Sequence, residues 1–222
     1  MGLYREGPPR EFIKKIKNEF AIDCFIETGT YRATTAVWAS TLFKKVYTIE
    51  AFKPLYDEMC LMHKDYDNVS FVYGKSNEKL KDILDDANQP AIFWLDAHYS
   101  GDGTFGEKEK CPLINELKII NNFRHDSIIL IDDARIFLSP YSMQFKVVDY
   151  PDISKIINIL NEVPHRYIII LEDVIFCIPE KMKELTSKYS QELNSMNSFI
   201  NSDKKDIIMK LLRFLIRKIK GI

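Results

Sequence analysis

Residues 24–50 read CFIETGTYRATTAVWASTLFKKVYTIE, and the pattern of this stretch decides the fold class. Cys24 to Glu27 is an apolar run too short for a buried helix. It meets Gly29, which permits a sharp backbone turn. Ala33 to Leu42 then has the composition of a helix, and Val46 to Glu50 is a second β-branched run. Strand, glycine turn, helix and strand make one βα repeat, and the rhythm continues downstream. Further runs at Val69 to Tyr73, Ile92 to Asp96 and Ile128 to Asp132 alternate with helical candidates near Leu55 to Lys64, Glu78 to Leu84 and Leu113 to Asn122. Five such units fill about the first 135 residues, the pattern of a parallel sheet covered by helices.

Upstream, Phe12, Ile13, Ile16 and Phe20 fall at helical spacing and predict a covering helix from Pro9 to Phe20. Downstream, a helix at Ile153 to Leu160 precedes Arg166 to Ile178, two strand runs around a tight Glu172-Asp173 turn. That is a hairpin, so the sheet should finish with an antiparallel strand. From Glu180 the strand signals stop, and the expected division is a domain over 1–179 and a helical appendage over 180–222.

The 222 residues are 46% hydrophobic and 28% charged with a formal net charge of -1, which suits one folded α/β domain and argues against a general nucleic-acid binder. Cys24, Cys60, Cys111 and Cys177 are scattered without a CxxC pair and read as reduced thiols. The start MGLYREGPPREFIKKIK has no apolar signal region, and no stretch approaches the roughly 20 apolar residues of a membrane span, so a cytoplasmic location is expected. The segment from Lys204 to Ile222 sets an apolar stripe of Ile208, Leu211, Leu212, Leu215 and Ile219 among basic residues. From Asp203 onward seven basic residues meet two acidic ones, and this tail has three uses open to it: packing on its own domain, a homodimer contact, or a peripheral contact with the inner membrane face.

In open α/β sheets ligands sit beyond the carboxyl ends of the strands, so the strand-end residues are where chemistry is expected. The first strand ends in Glu27, Thr28, Gly29, Thr30 and Tyr31, where the glycine allows close approach of a ligand and the acid can hold a cationic or amino group. The second ends at Glu50, about 20 residues after the turn, the distance expected of a ribose-binding acid. The third leads into Ser76 and Asn77, placed to meet an adenine edge or to cap the next helix. The fourth and fifth lead to Asp96 and to Asp132 and Asp133. Three carboxylates converging there need a cation, and oxygen ligands suit Mg²⁺. His98, in the loop after Asp96, can take a proton from a hydroxyl or ligate a metal.

The run Glu27-Thr-Gly-Thr-Tyr-Arg-Ala33 resembles the E/D-x-G-x-x-x-G turn of class I S-adenosylmethionine (SAM) methyltransferases, with Ala33 near the place of the later glycine. The resemblance implies a Rossmann-like fold: a mostly parallel seven-stranded sheet, helices on both faces, and a C-terminal antiparallel hairpin strand. It places SAM against Glu27, Thr28, Gly29, Thr30, Tyr31, Glu50, Ser76, Asn77 and Asp96. The aspartates are similar to those of metal-dependent catechol and sugar O-methyltransferases, which implies Mg²⁺ on Asp96, Asp132 and Asp133, with His98 and Asp96 as the catalytic pair. The LDAHYSG and CPLINELK segments resemble methyltransferases of bacterial surface-polysaccharide gene clusters, which implies a sugar or sugar nucleotide as acceptor. A metal-free methyltransferase of the same fold, a nicotinamide-dependent oxidoreductase, against which the turn lacks G-x-G-x-x-G, and a non-catalytic module whose tail binds a partner or membrane remain the alternatives.

Overall fold

A computed structural model of the chain describes residues 7–97, 111–138 and 150–196. Helix α1 (Arg10–Phe20) opens the chain and buries Phe12, Ile13 and Ile16, the apolar side of the expected covering helix. It is followed by β1 (Cys24–Thr28), α2 (Thr34–Ser40), β2 (Lys45–Glu50), α3 (Lys53–Met62), β3 (Val69–Tyr73), α4 (Ser76–Ala87) and β4 (Ala91–Leu95). The second half supplies α5 (Leu113–Asn121), β5 (Ser127–Ile131), α6 (Ala134–Leu138), α7 (Ile153–Leu160), β6 (Arg166–Leu171) and β7 (Val174–Pro179). A 3₁₀ turn (Glu180–Met182) follows the last strand.

The seven strands form one sheet in the order β3-β2-β1-β4-β5-β7-β6. β1 to β5 pair in parallel, and β7 enters antiparallel between β5 and β6. The expected mixed sheet with its terminal hairpin is therefore the one formed. Every residue of β1, β4 and β5 is buried, as parallel strands covered on both faces require. Side chains alternate between faces along each strand. Cys24, Ile26, Phe93, Ile129 and Cys177 pack with Leu80 and Leu84 of α4, Leu117 and Ile120 of α5 and Ile156 and Leu160 of α7. On the opposite face Phe25 meets Trp38 of α2 edge-on, and Phe12 of α1 meets Phe176 of β7 with ring centroids 4.9 Å apart. Fully burying such a side chain contributes roughly 1.5–3 kcal/mol.

Several bounds differ from the sequence reading for local reasons. Asp96 and Asp132 lie one residue beyond their strands, since β4 ends at Leu95 and β5 at Ile131. The second helix begins only at Thr34 because Ala33 is left-handed, with φ 55°. All four cysteines are free, and burial pushes the Cys24 thiol up to about 12. Among the described residues, no helix is long and apolar enough to cross a membrane. The chain divides into two compact units, residues 1–183 and 184–222. The second is helical as far as residue 196, and the basic amphipathic tail lies outside the described residues.

Candidate active site

The first part of the site is the turn after β1. Gly29 has φ +91°, and a β-carbon built there would lie 2.7 Å from the backbone oxygen of Asp96. A side chain is excluded by both conformation and space, because the ends of β1 and β4 approach closely. The backbone N–H of Asp96 donates to Thr28 at 3.1 Å, which fixes that approach. Tyr31 and Ala33 are also left-handed, with φ 44° and 55°. Ala33 is fully buried at the motif position where a glycine would relieve this conformation.

Glu50 ties the turn to the end of β2. Its Oε2 accepts from the Tyr31 N–H at 3.0 Å and its Oε1 from the Phe52 N–H at 2.8 Å. Each oxygen keeps a further lone pair for a ligand hydroxyl. Glu27 lies behind the turn and is only 2% exposed. In the β1–β2 register it stands opposite Thr48, whose hydroxyl donates to Glu27 Oε2 at 2.7 Å. The Thr30 and Thr48 hydroxyls are 2.7 Å apart, so a hydrogen-bonded chain runs from the turn to the buried carboxyl. Burial, chiefly, and the negative charges of Asp96 and Glu50 push Glu27 up to about 8, against the lowering effect of bonds from Thr48 and Thr35.

Beyond β3, Gly74 donates to the Glu50 carbonyl at 2.9 Å and brings that loop to the same end of the sheet. Ser76 is the first helical residue of α4 and is 5% exposed. It does not cap the helix: Lys75 holds the cap position with extended backbone, and its carbonyl receives the first-turn bonds from Glu78 and Lys79. Ser76 and Asn77 are thus inside the first turn, next to the loop that joins β3 to α4.

The second part of the site lies past β4 and β5. Asp132 N–H donates to the Leu95 carbonyl at 3.1 Å, so Asp96 and Asp132 leave neighbouring strands at the same level. Asp132 borders a small cleft lined by Leu95, Ala97, Pro112, Glu116 and Phe137 among others. Glu116, from α5, is 1% exposed. Asp133 takes another direction. It is left-handed, with φ 55°, and its Oδ1 pairs with Arg135 Nη2 at 2.7 Å. Arg135 also pairs with Asp173 in the β6–β7 turn, while Asp173 accepts the Arg135 and Ala134 backbone N–H groups at 2.8 Å each.

The three aspartates therefore do not act as one ligand set. Among the described residues no group of three His, Cys, Asp or Glu side chains is placed to hold a metal ion, and Asp133 is committed to a guanidinium. The expected Mg²⁺ site on Asp96, Asp132 and Asp133 does not fit these residues as placed. His98 lies outside the described residues. Thr48, Arg135, Asp173 and Glu116 had no signal in the sequence reading, since each joins the site through strand register or a contact far along the chain.

No family model and no curated protein matches the sequence. Solved structures do match by shape. A candidate caffeoyl-CoA O-methyltransferase from Staphylococcus aureus superposes with a TM-score of 0.54 at 13% identity, covering 79% of this chain and 86% of that one. Rv0187 from MTB, solved with cofactor bound, gives 0.53 at 13% identity over 80% and 84%. A candidate O-methyltransferase from Klebsiella pneumoniae gives 0.51 at 13% identity over 79% and 82%. At this identity the likeness speaks to architecture, and the chain has the Rossmann-like fold of class I methyltransferases.

Proposed function

We propose that the protein is a SAM-dependent methyltransferase acting on a small acceptor. The observation that carries this reading is the acid–glycine–acid arrangement at the ends of β1 and β2. Gly29 forms a turn that excludes a side chain, Glu27 is buried behind it, and Glu50 fastens it with one carboxylate oxygen while the other holds the Phe52 N–H after β2. A nucleoside that carries positive charge would suit this donor set: we assign Glu50 to the ribose hydroxyls, and the acids around the turn favour a cation. Bound there, SAM supplies a methyl group already activated as a sulfonium.

The chain's own residues then have to position the acceptor. Asp96 and Asp132, at adjacent strand ends with Asp132 on the cleft, are the groups we assign to hydrogen-bond it and receive its proton, with His98 joining them as a base by the sequence reading. Orientation contributes most of the acceleration in such a site. A hydroxyl of a sugar or sugar nucleotide is the acceptor we propose, on the resemblance of LDAHYSG and CPLINELK to methyltransferases of surface-polysaccharide clusters. No step is assigned to a metal, because the three-aspartate set does not fit one.

The test is donor affinity in Glu50→Ala. Losing charge-assisted hydrogen bonds worth roughly 1.5–3 kcal/mol each should weaken SAM binding by at least about tenfold, with circular dichroism confirming the fold. Unchanged affinity in the folded variant would remove Glu50 from the cofactor site. Labelled methyl transfer to a panel of sugar nucleotides, with and without chelator, tests the acceptor and the metal-free reading together.

A further inference from the structure

Glu27 is an acid in an unusual position. It is 2% exposed on β1, directly behind the Gly29 turn. From β2, Thr48 donates to it at 2.7 Å, and Thr30 extends that bond to the turn itself. From α2, Thr35 also bonds to it. The charged groups that face it, Asp96 after β4 and Glu50 at the end of β2, are both acids. A carboxyl desolvated among other carboxylates is held neutral until a positive charge arrives. Burial accordingly pushes its ionisation up to about 8.

We propose that Glu27 is a proton-releasing specificity residue of the donor site: it is protonated in the free protein, ionises when the cationic methyl donor binds, and so favours the sulfonium over its neutral thioether product. The inference rests on the methyltransferase reading of the same site. The proton balance is simple. Binding converts the Glu27 carboxylic acid to a carboxylate beside the sulfonium and passes one proton to solvent. Methyl transfer then removes the positive charge from sulfur, the carboxylate loses its counter-ion, and uptake of a proton from solvent restores the neutral acid. Discrimination against the product would help clear it from the site.

The experiment is titration calorimetry of the full chain with SAM and with S-adenosylhomocysteine from pH 6 to 9, in two buffers of different ionisation enthalpy, for the wild type and Glu27→Gln. Each ligand's own α-ammonium also titrates in this range, and that contribution persists in the variant. The difference between the two proteins therefore reads Glu27. In the wild type, SAM should release close to one more proton at pH 7 than in Glu27→Gln, and its affinity should gain up to about tenfold per pH unit until pH 8. The preference for SAM over S-adenosylhomocysteine should fall about tenfold or more in the variant. Equal proton release in both proteins, or an unchanged SAM preference, would overturn the inference while leaving the donor site standing. If Glu27→Gln does not fold, the wild type alone decides: SAM must release more protons than S-adenosylhomocysteine, and equal release overturns it. Absence of binding by either ligand would instead overturn the methyltransferase reading itself.

Discussion

Gly29 and Glu27 show how much single residues determine at this site. Replacing Gly29 by Ala would place a methyl group 2.7 Å from the Asp96 carbonyl in a backbone with φ +91°. The strain should destabilise the protein by roughly 2 kcal/mol or more and weaken SAM binding, measured by urea unfolding and calorimetry. Wild-type stability in that variant would mean that β1 and β4 do not approach as described. Glu27 makes a second prediction, for stability against pH. Its ordinary value is 4.5 and burial raises it to about 8, so between those limits the folded chain holds a proton that the unfolded chain has lost. The contribution is fully favourable below about pH 4.5, declines as pH rises, and levels off above about pH 8. Glu27→Gln should abolish that decline, making the variant more stable than the wild type at pH 8 by an amount on the order of a few kcal/mol. Parallel pH–stability curves for the two proteins would contradict the burial of an uncompensated acid.

At the scale of elements, the β6–β7 hairpin does more than close the sheet. Its turn residues Glu172 and Asp173 are both left-handed, with φ 46° and 72°, the conformation of a type I′ hairpin turn. Asp173 reaches the start of α6 by its ion pair with Arg135 and by two backbone bonds, and Arg135 in turn holds Asp133. The hairpin thus fixes the segment that follows Asp132. Asp173→Ala should cost about 2–4 kcal/mol, since it removes one partner of a largely buried pair together with a bond to the Arg135 N–H. Glu172→Asn, which suits the first central position of such a turn, should stabilise by up to about 1 kcal/mol. Chemical denaturation of the two variants checks both signs. The hairpin could be read from its two apolar runs. Its use as a clamp could not, because Asp133 and Asp173 are distant in sequence and only the antiparallel entry of β7 brings them together.

Across the whole molecule, the sheet was legible because parallel strands buried on both faces leave uninterrupted apolar runs such as Phe25-Ile and Ile128-Ile-Leu-Ile. The strand-end positions of Glu27, Glu50, Asp96 and Asp132 were legible for a related reason, since each is an acid at the end of such a run. The pairing of Asp133 with Arg135 was not legible: sequence adjacency to Asp132 suggested one ligand set, whereas Asp133 has a left-handed backbone and its carboxylate meets a guanidinium. The bond between Glu27 and Thr48 depends on strand register, which neither run specifies by itself. Whether these strand ends form a SAM site is decided by titration calorimetry of the full chain with SAM, with NAD for comparison. One SAM should bind per chain, at least about tenfold more weakly in Glu50→Ala, and NAD should not bind. A folded wild-type chain that takes NAD, or that leaves SAM unbound at millimolar concentration, would contradict a SAM site there.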